Sequence, residues 1–270
     1  MKNLKEQTIK YITLITFLLM LFVNALANLL PINGITTAGV SDSYPNLFAP
    51  TGVTFAIWAL IYLLLAAYML YLFGMFHDAQ RDSNQRKFQH ISVYFSLSSV
   101  ANTLWLFSWH YDIISLSMLL MIVILLCLIK INQLTGKMKL SAKEKFFVRL
   151  PFSVYFGWIT IATIANATTL LVSWGWDGFG LTQSVWAAII IIVGTIIGSA
   201  VIYKHKDTAY GLVLIWAYIG ILIKHLSQNG FAGQYPAVIV TASFCIVVIL
   251  IDIAYVYLSA HKKMKLDIRP

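Results

Sequence analysis

Four carboxamides stand inside otherwise apolar stretches of this chain: Asn24, Asn28, Asn102 and Asn166. An amide in hydrocarbon needs a hydrogen-bond partner, and such a bond between membrane helices contributes about 0.6–2 kcal/mol. Groups of this kind either glue helices together or supply the few orienting polar contacts of an apolar ligand pocket. Aromatic rings lie near them at helical spacing. Phe55, Trp58 and Tyr62 share one face of a helix that begins after the turn at Pro50 and Gly52. Asn102 and Trp105 share a face at i, i+3. Rings at the mouth of a helix read either as an interfacial belt, which their position alone favours, or as the wall of a pocket under a loop.

Other chemistry is sparse. There is no H-E-x-x-H, no paired-cysteine motif, no G-x-S-x-G and no glycine-rich phosphate loop. An enzyme therefore has little support, and no metal site is expected. His77, His90, His110, His205, His225 and His261 scatter over loops and helix ends. A lone surface histidine is usually solvated, so axial ligation of haem iron is not the expected role. Cys127 and Cys245 lie in apolar runs and read as small buried hydrophobes. Asp252 is the one acid deep in an apolar run. A carboxylate at a helix centre costs about 2.5–3.5 kcal/mol on insertion scales, so it must be protonated, paired or facing a cavity. Lys204 and Lys206 are its cationic candidates. It reads as a structural contact, with proton coupling in a transporter as the alternative. Gly194 and Gly198 form a G-x-x-x-G seam beside Ser199 and Ala200, suited to close packing of helices within the chain or in a homodimer.

The elements that position these residues are membrane helices. Of 270 residues, 60% are hydrophobic and 11% charged, outside the range of a soluble domain. Eight apolar runs, at about 11–31, 53–74, 89–109, 113–134, 147–172, 183–203, 208–226 and 235–259, approach the roughly 20 residues that a span needs. The net charge of +9 belongs to topology and not to nucleic acid, because eighteen of nineteen basic residues fall on alternate sides of these runs. Lys224 is the exception. The expected fold is thus all-α: a polytopic bundle of eight transmembrane helices with both termini cytoplasmic. All four amides, with Trp58, Tyr62, Trp105 and Trp109, then lie in the outer half of the bilayer. The first run, with Ala25-Leu26-Ala27, imitates a signal peptide, but apolar character continues past it and a retained helix is expected.

Three stretches resemble the TspO/MBR family, the tryptophan-rich sensory proteins related to the mitochondrial translocator protein. Ala49–Tyr62 resembles the family's PPGW-F-W-Y stretch, Asn102-Thr-Leu-Trp105 its N-x-x-W stretch, and Trp158 to Asn166 its W-x-x-x-A-T-x-x-N stretch. They occur in order on the second, third and fifth runs, and the resemblance covers the chain to about residue 172. Thr51 and Val53 depart from the first motif, and Pro151 and Tyr155 are displaced relative to Trp158. The sixth to eighth runs exceed the five helices of the short family members.

The resemblance implies a five-helix TspO-like bundle over 1–175 and a three-helix extension over 176–270. It implies a sensor or binding protein for a small hydrophobic, flat ligand, tetrapyrrole- or sterol-like, with porphyrin or haem as ligand and no required cofactor. Trp58, Tyr62, Asn102, Trp105, Trp158 and Asn166 match the pocket-lining positions. The implied setting is the plasma membrane of a bacterium, with the lipid bilayer as partner. A secondary transporter using Asp252 and a non-enzymatic membrane subunit are the competing classes. Loop 32–52 is expected to fold over the pocket, because Ile32, Ile35, Val40, Leu47 and Phe48 give it apolar surface to bury. Leu181–Trp186 is expected outside the cluster.

Overall fold

The computed structural model describes residues 2–30, 32–76 and 81–266. His77, named above, lies outside them with Pro31 and Arg269, as do the side chains of Lys2, Lys5, Arg81, His261, Lys262, Lys263 and Lys265.

Ten α-helices are described. Eight are long: α1 (Lys2–Leu29), α3 (Ile57–Leu72), α4 (Arg81–His110), α5 (Ile114–Gly136), α7 (Leu150–Ser173), α8 (Gln183–His205), α9 (Thr208–Leu226) and α10 (Pro236–Leu266). Two are short: α2 (Thr37–Asp42) in the first loop, and α6 (Ala142–Glu144), which a single π turn, Lys145–Arg149, joins to α7. Local chemistry sets several ends. Thr36 caps α2, its hydroxyl accepting from the Gly39 N–H at 3.1 Å. Ser141 and Glu144 form a reciprocal capping box at α6. Asp207 caps α9, accepting from the Tyr210 N–H at 3.1 Å. The Arg149 guanidinium donates to the His205 carbonyl, one of the acceptors left open at the end of α8.

Among the described residues, seven helices are long and apolar enough to cross a membrane. The expectation of eight differs at the third run, which lies in α4. Ser92, Ser96, Ser98, Ser99, Asn102, Thr103 and Ser108 make that helix too polar for the same criterion. Helix α4 nonetheless packs along α1 and α5. Several of its hydroxyls are satisfied within its own turns: Ser98 and Ser99 donate to the Phe95 carbonyl at 2.8 and 2.9 Å, and Thr103 to the Ser99 carbonyl at 3.0 Å.

In the bundle, α5 packs on α7, α3 on α7, and α8 and α9 on α10. Helix α9 also packs on α7 and reaches the first loop. The Thr51 N–H donates to the Gly220 carbonyl at 3.2 Å, and the Trp216 indole to the Thr54 carbonyl at 2.9 Å. The Gly194–Gly198 seam faces α9. A Cβ at Gly194 would sit 2.6 Å from the Tyr218 hydroxyl, and one at Gly198 would collide with the Leu214 side chain. The close approach seen here is therefore made within the chain.

Asp252 does not pair with Lys204 or Lys206, its expected partners. Its carboxylate accepts from Ser199 Oγ at 2.5 Å and from the Tyr203 hydroxyl at 2.6 Å, joining α10 to α8. The expectation of solvated histidines also fails for two of the six. His110 and His225 are buried, bonded to the Leu106 and Leu47 carbonyls.

Candidate functional site

Four of the six candidate residues meet. Trp58 from α3, Trp105 from α4, and Trp158 and Asn166 from α7 line one cavity. Thr37, Ser41 and Pro50 cover it, so loop 32–52 lies over this opening. The rings brace one another. Trp58 meets Trp158 edge to face at 6.2 Å and Tyr155 at 5.9 Å, and Phe55 meets Trp158 at 5.8 Å. Trp105 stacks on Trp109 at 5.8 Å. Trp105 and Trp158 are 5% and 3% exposed, so neither is a lipid-facing belt residue.

Trp109 also lines the cavity, and so do Ala162, Ala165 and Thr169. The sequence carried a signal for each. Trp109 is i+4 from Trp105, and Trp158, Ala162, Ala165 and Thr169 form one helical stripe. Trp109 further ties the cover down, its indole donating to the Thr37 carbonyl at 3.1 Å.

The two remaining candidates lie elsewhere. Asn102 is fully buried and lines no part of the cavity. Its Oδ1 accepts from Asn24 Nδ2 at 2.7 Å, and its Nδ2 lies 3.5 Å from the Tyr155 hydroxyl. Asn24 and Asn102 are thus interhelical contacts between α1 and α4. Tyr62 stacks on Trp58 at 5.5 Å and lines a groove of about 410 Å³ between α1 and α3, with Asn24 and Asn28. Thr37, Phe55 and Trp58 line both the groove and the cavity, forming the partition between them.

The cavity's volume is about 40 Å³. That is room for a few waters and far below the roughly 300–1,000 Å³ of ligand pockets. Its polar groups are conspicuous. Among the described residues, the indole N–H groups of Trp105 and Trp158 are buried without a hydrogen-bond partner, as is Nδ2 of Asn166. Asn166 Oδ1 lies 3.2 Å from Ser117 Oγ, so one end of that amide is engaged and the other is not. A buried polar group left unsatisfied costs about 1–3 kcal/mol. All three residues, Trp105, Trp158 and Asn166, line the one cavity.

A model of the TSPO-like protein family matches residues 10–255. The chain belongs to that family. No curated protein and no solved structure matches it. The TSPO-like match runs past residue 172, where the motif resemblance ended, through α8 and α9 and into α10. In this TSPO-like chain the last three helices are therefore part of the family pattern, in keeping with the contacts of α9 to the cavity's cover. TSPO-like proteins are generally non-enzymatic membrane proteins, and this one is a multi-pass membrane protein. Among the described residues no group of three or more His, Cys, Asp or Glu side chains could hold a metal ion.

Proposed function

We propose that this TSPO-like protein is a membrane sensor or binding protein for a flat apolar ligand that carries hydrogen-bond acceptors, held in the aromatic cavity beneath loop 32–52. The observation that carries this reading is the set of unpartnered polar groups, Trp105 Nε1, Trp158 Nε1 and one end of Asn166, on an aromatic lining. Indole faces would stack on the ligand, and the two N–H groups would meet a carbonyl or carboxylate. A tetrapyrrole or a sterol-like ketone has both features.

Such a ligand is larger than the closed cavity. Trp58 and Phe55 separate that cavity from the groove of about 410 Å³ beside it. Displacing the Trp58 ring from Tyr62 would join the two spaces and supply the missing volume. Binding then requires a rearrangement of α3 side chains.

The accompanying topology is eight spans with both termini cytoplasmic in a bacterial plasma membrane, α4 crossing as the third. Burial of α4 against α1 and α5 supports a crossing despite its polar residues, because none of its internal hydroxyls named above needs water. The transporter alternative draws less support, since Asp252 is held by Ser199 and Tyr203 between α8 and α10, away from the cavity lining.

Titration of the purified full chain with protoporphyrin IX, read by thermal shift and tryptophan quenching, tests the reading. Ligand that binds the native state raises its apparent stability. A saturable rise that Trp158→Phe weakens is the expected result. No rise with porphyrin or with a keto-sterol would reject it.

A further inference from the structure

We propose a second ligand site, for a small organic cation with an apolar body, where loop 45–48 meets the α7–α8 connection. A cavity of about 270 Å³ opens there, and it shares no lining residue with the aromatic cavity of the proposed function. Trp176, Trp186 and Phe48 supply aromatic wall, and Leu171, Leu181 and Ile190 supply aliphatic wall. Asp177 is the one charged residue among those lining it. Segment 173–182 contains no Lys or Arg. The site's charge is therefore negative, and its aromatic rings are of the kind whose faces attract cations.

The arrangement is built in advance. Trp176 and Trp186 lie 4.8 Å apart at 57°, and the Trp186 indole donates to the Gly178 carbonyl at 2.5 Å. Gly178, Phe179 and Gly180 have φ values of 67°, 53° and 74°. A Cβ at Gly178 would sit 2.7 Å from Trp186 Nε1, so only glycine lets the loop lie on the indole. With its N–H engaged by the loop, the Trp186 indole offers the ligand no donor. Across the opening, Asn46 Oδ1 accepts from the N–H groups of Phe48 and Ala49 at 3.0 and 2.8 Å and fixes the loop 45–48 wall. Asp177 Oδ1 accepts from the Phe179 N–H at 3.0 Å, and among the described residues its Oδ2 has no partner. An ammonium or trimethylammonium group is the partner that this oxygen and these ring faces share. An anion would meet carboxylate repulsion, and a neutral apolar molecule would leave Asp177 unused.

The probe is benzyltrimethylammonium, with neopentylbenzene as its uncharged isostere, each titrated into the full chain in neutral detergent and followed by tryptophan fluorescence. The expected result is saturable binding of the cation, about tenfold or more tighter than the isostere. Asp177→Asn should weaken the cation by about fivefold while leaving the isostere unchanged. An asparagine Oδ1 can still accept from Phe179, so this variant keeps the loop. Trp176→Leu should weaken both ligands. Equal binding of cation and isostere, an unaffected Asp177→Asn, or no saturable response to the cation would each overturn the proposal and leave these tryptophans as interfacial anchors.

Discussion

Lys224, near the end of α9, forms an ion pair with Asp42, in the loop that covers the aromatic cavity, at 2.7 Å. Lys224 is the one basic residue that breaks the charge alternation along the chain. Its acidic partner lies at the same end of the bundle, which gives the exception a local reason. The next residue, His225, lies 2.9 Å from the Leu47 carbonyl. Helix α9 thus holds the cover at Asp42, Leu47, Thr51 and Thr54.

Lys224→Ala should cost under about 1 kcal/mol in global stability, because the Asp42 side chain is 57% exposed and such pairs contribute little. It should nevertheless loosen the cover. Faster amide hydrogen exchange over residues 37–48, with an unfolding midpoint nearly unchanged, is the expected pattern. Exchange identical to the unmodified chain would show that the remaining bonds suffice.

Trp158→Phe removes an indole N–H that has no partner among the described residues. The unliganded protein should lose little stability or gain some, since the change also relieves an unmet desolvation cost of about 1–3 kcal/mol. Binding of an acceptor-bearing ligand should weaken by about tenfold, the worth of one hydrogen bond. Paired thermal-shift and fluorescence titrations separate the two effects. Lower stability with unchanged binding would make Trp158 a packing residue only.

Gly198→Phe should destabilise the chain by about 1–3 kcal/mol or more, because Leu214 occupies the space where its side chain must go. Oligomeric state measured by sedimentation in detergent should not change. Loss of a dimer at constant stability would instead assign the seam to a second chain.

Asp252→Asn should preserve both folding and cavity binding, because the amide oxygen can still accept from Ser199 or Tyr203 and Asp252 does not line the cavity. A midpoint shift equivalent to about 1 kcal/mol or less is expected. Ligand-driven proton flux in liposomes that this substitution abolishes would revive the transporter reading.

The sequence by itself determined the class of this protein and most of its helix limits. Hydropathy, capping residues and periodicity are local properties, so Phe55, Trp58 and Tyr62 could be put on one face, and Trp158 and Asn166 on one helix, without any knowledge of neighbours. It could also give loop 32–52 a reason to pack. What it could not decide was how each helix is rotated against the others. Four amides looked alike along the chain. Rotation of α1 against α4 joins Asn24 to Asn102 as a contact, whereas rotation of α7 turns Asn166 to the cavity with one end unbonded. The same freedom gave Asp252 two hydroxyls in place of a lysine, turned Gly194 and Gly198 toward α9, and buried His225 under the cover. Each of these depends on which side chain stands across an interface, and only the packed bundle supplies that neighbour.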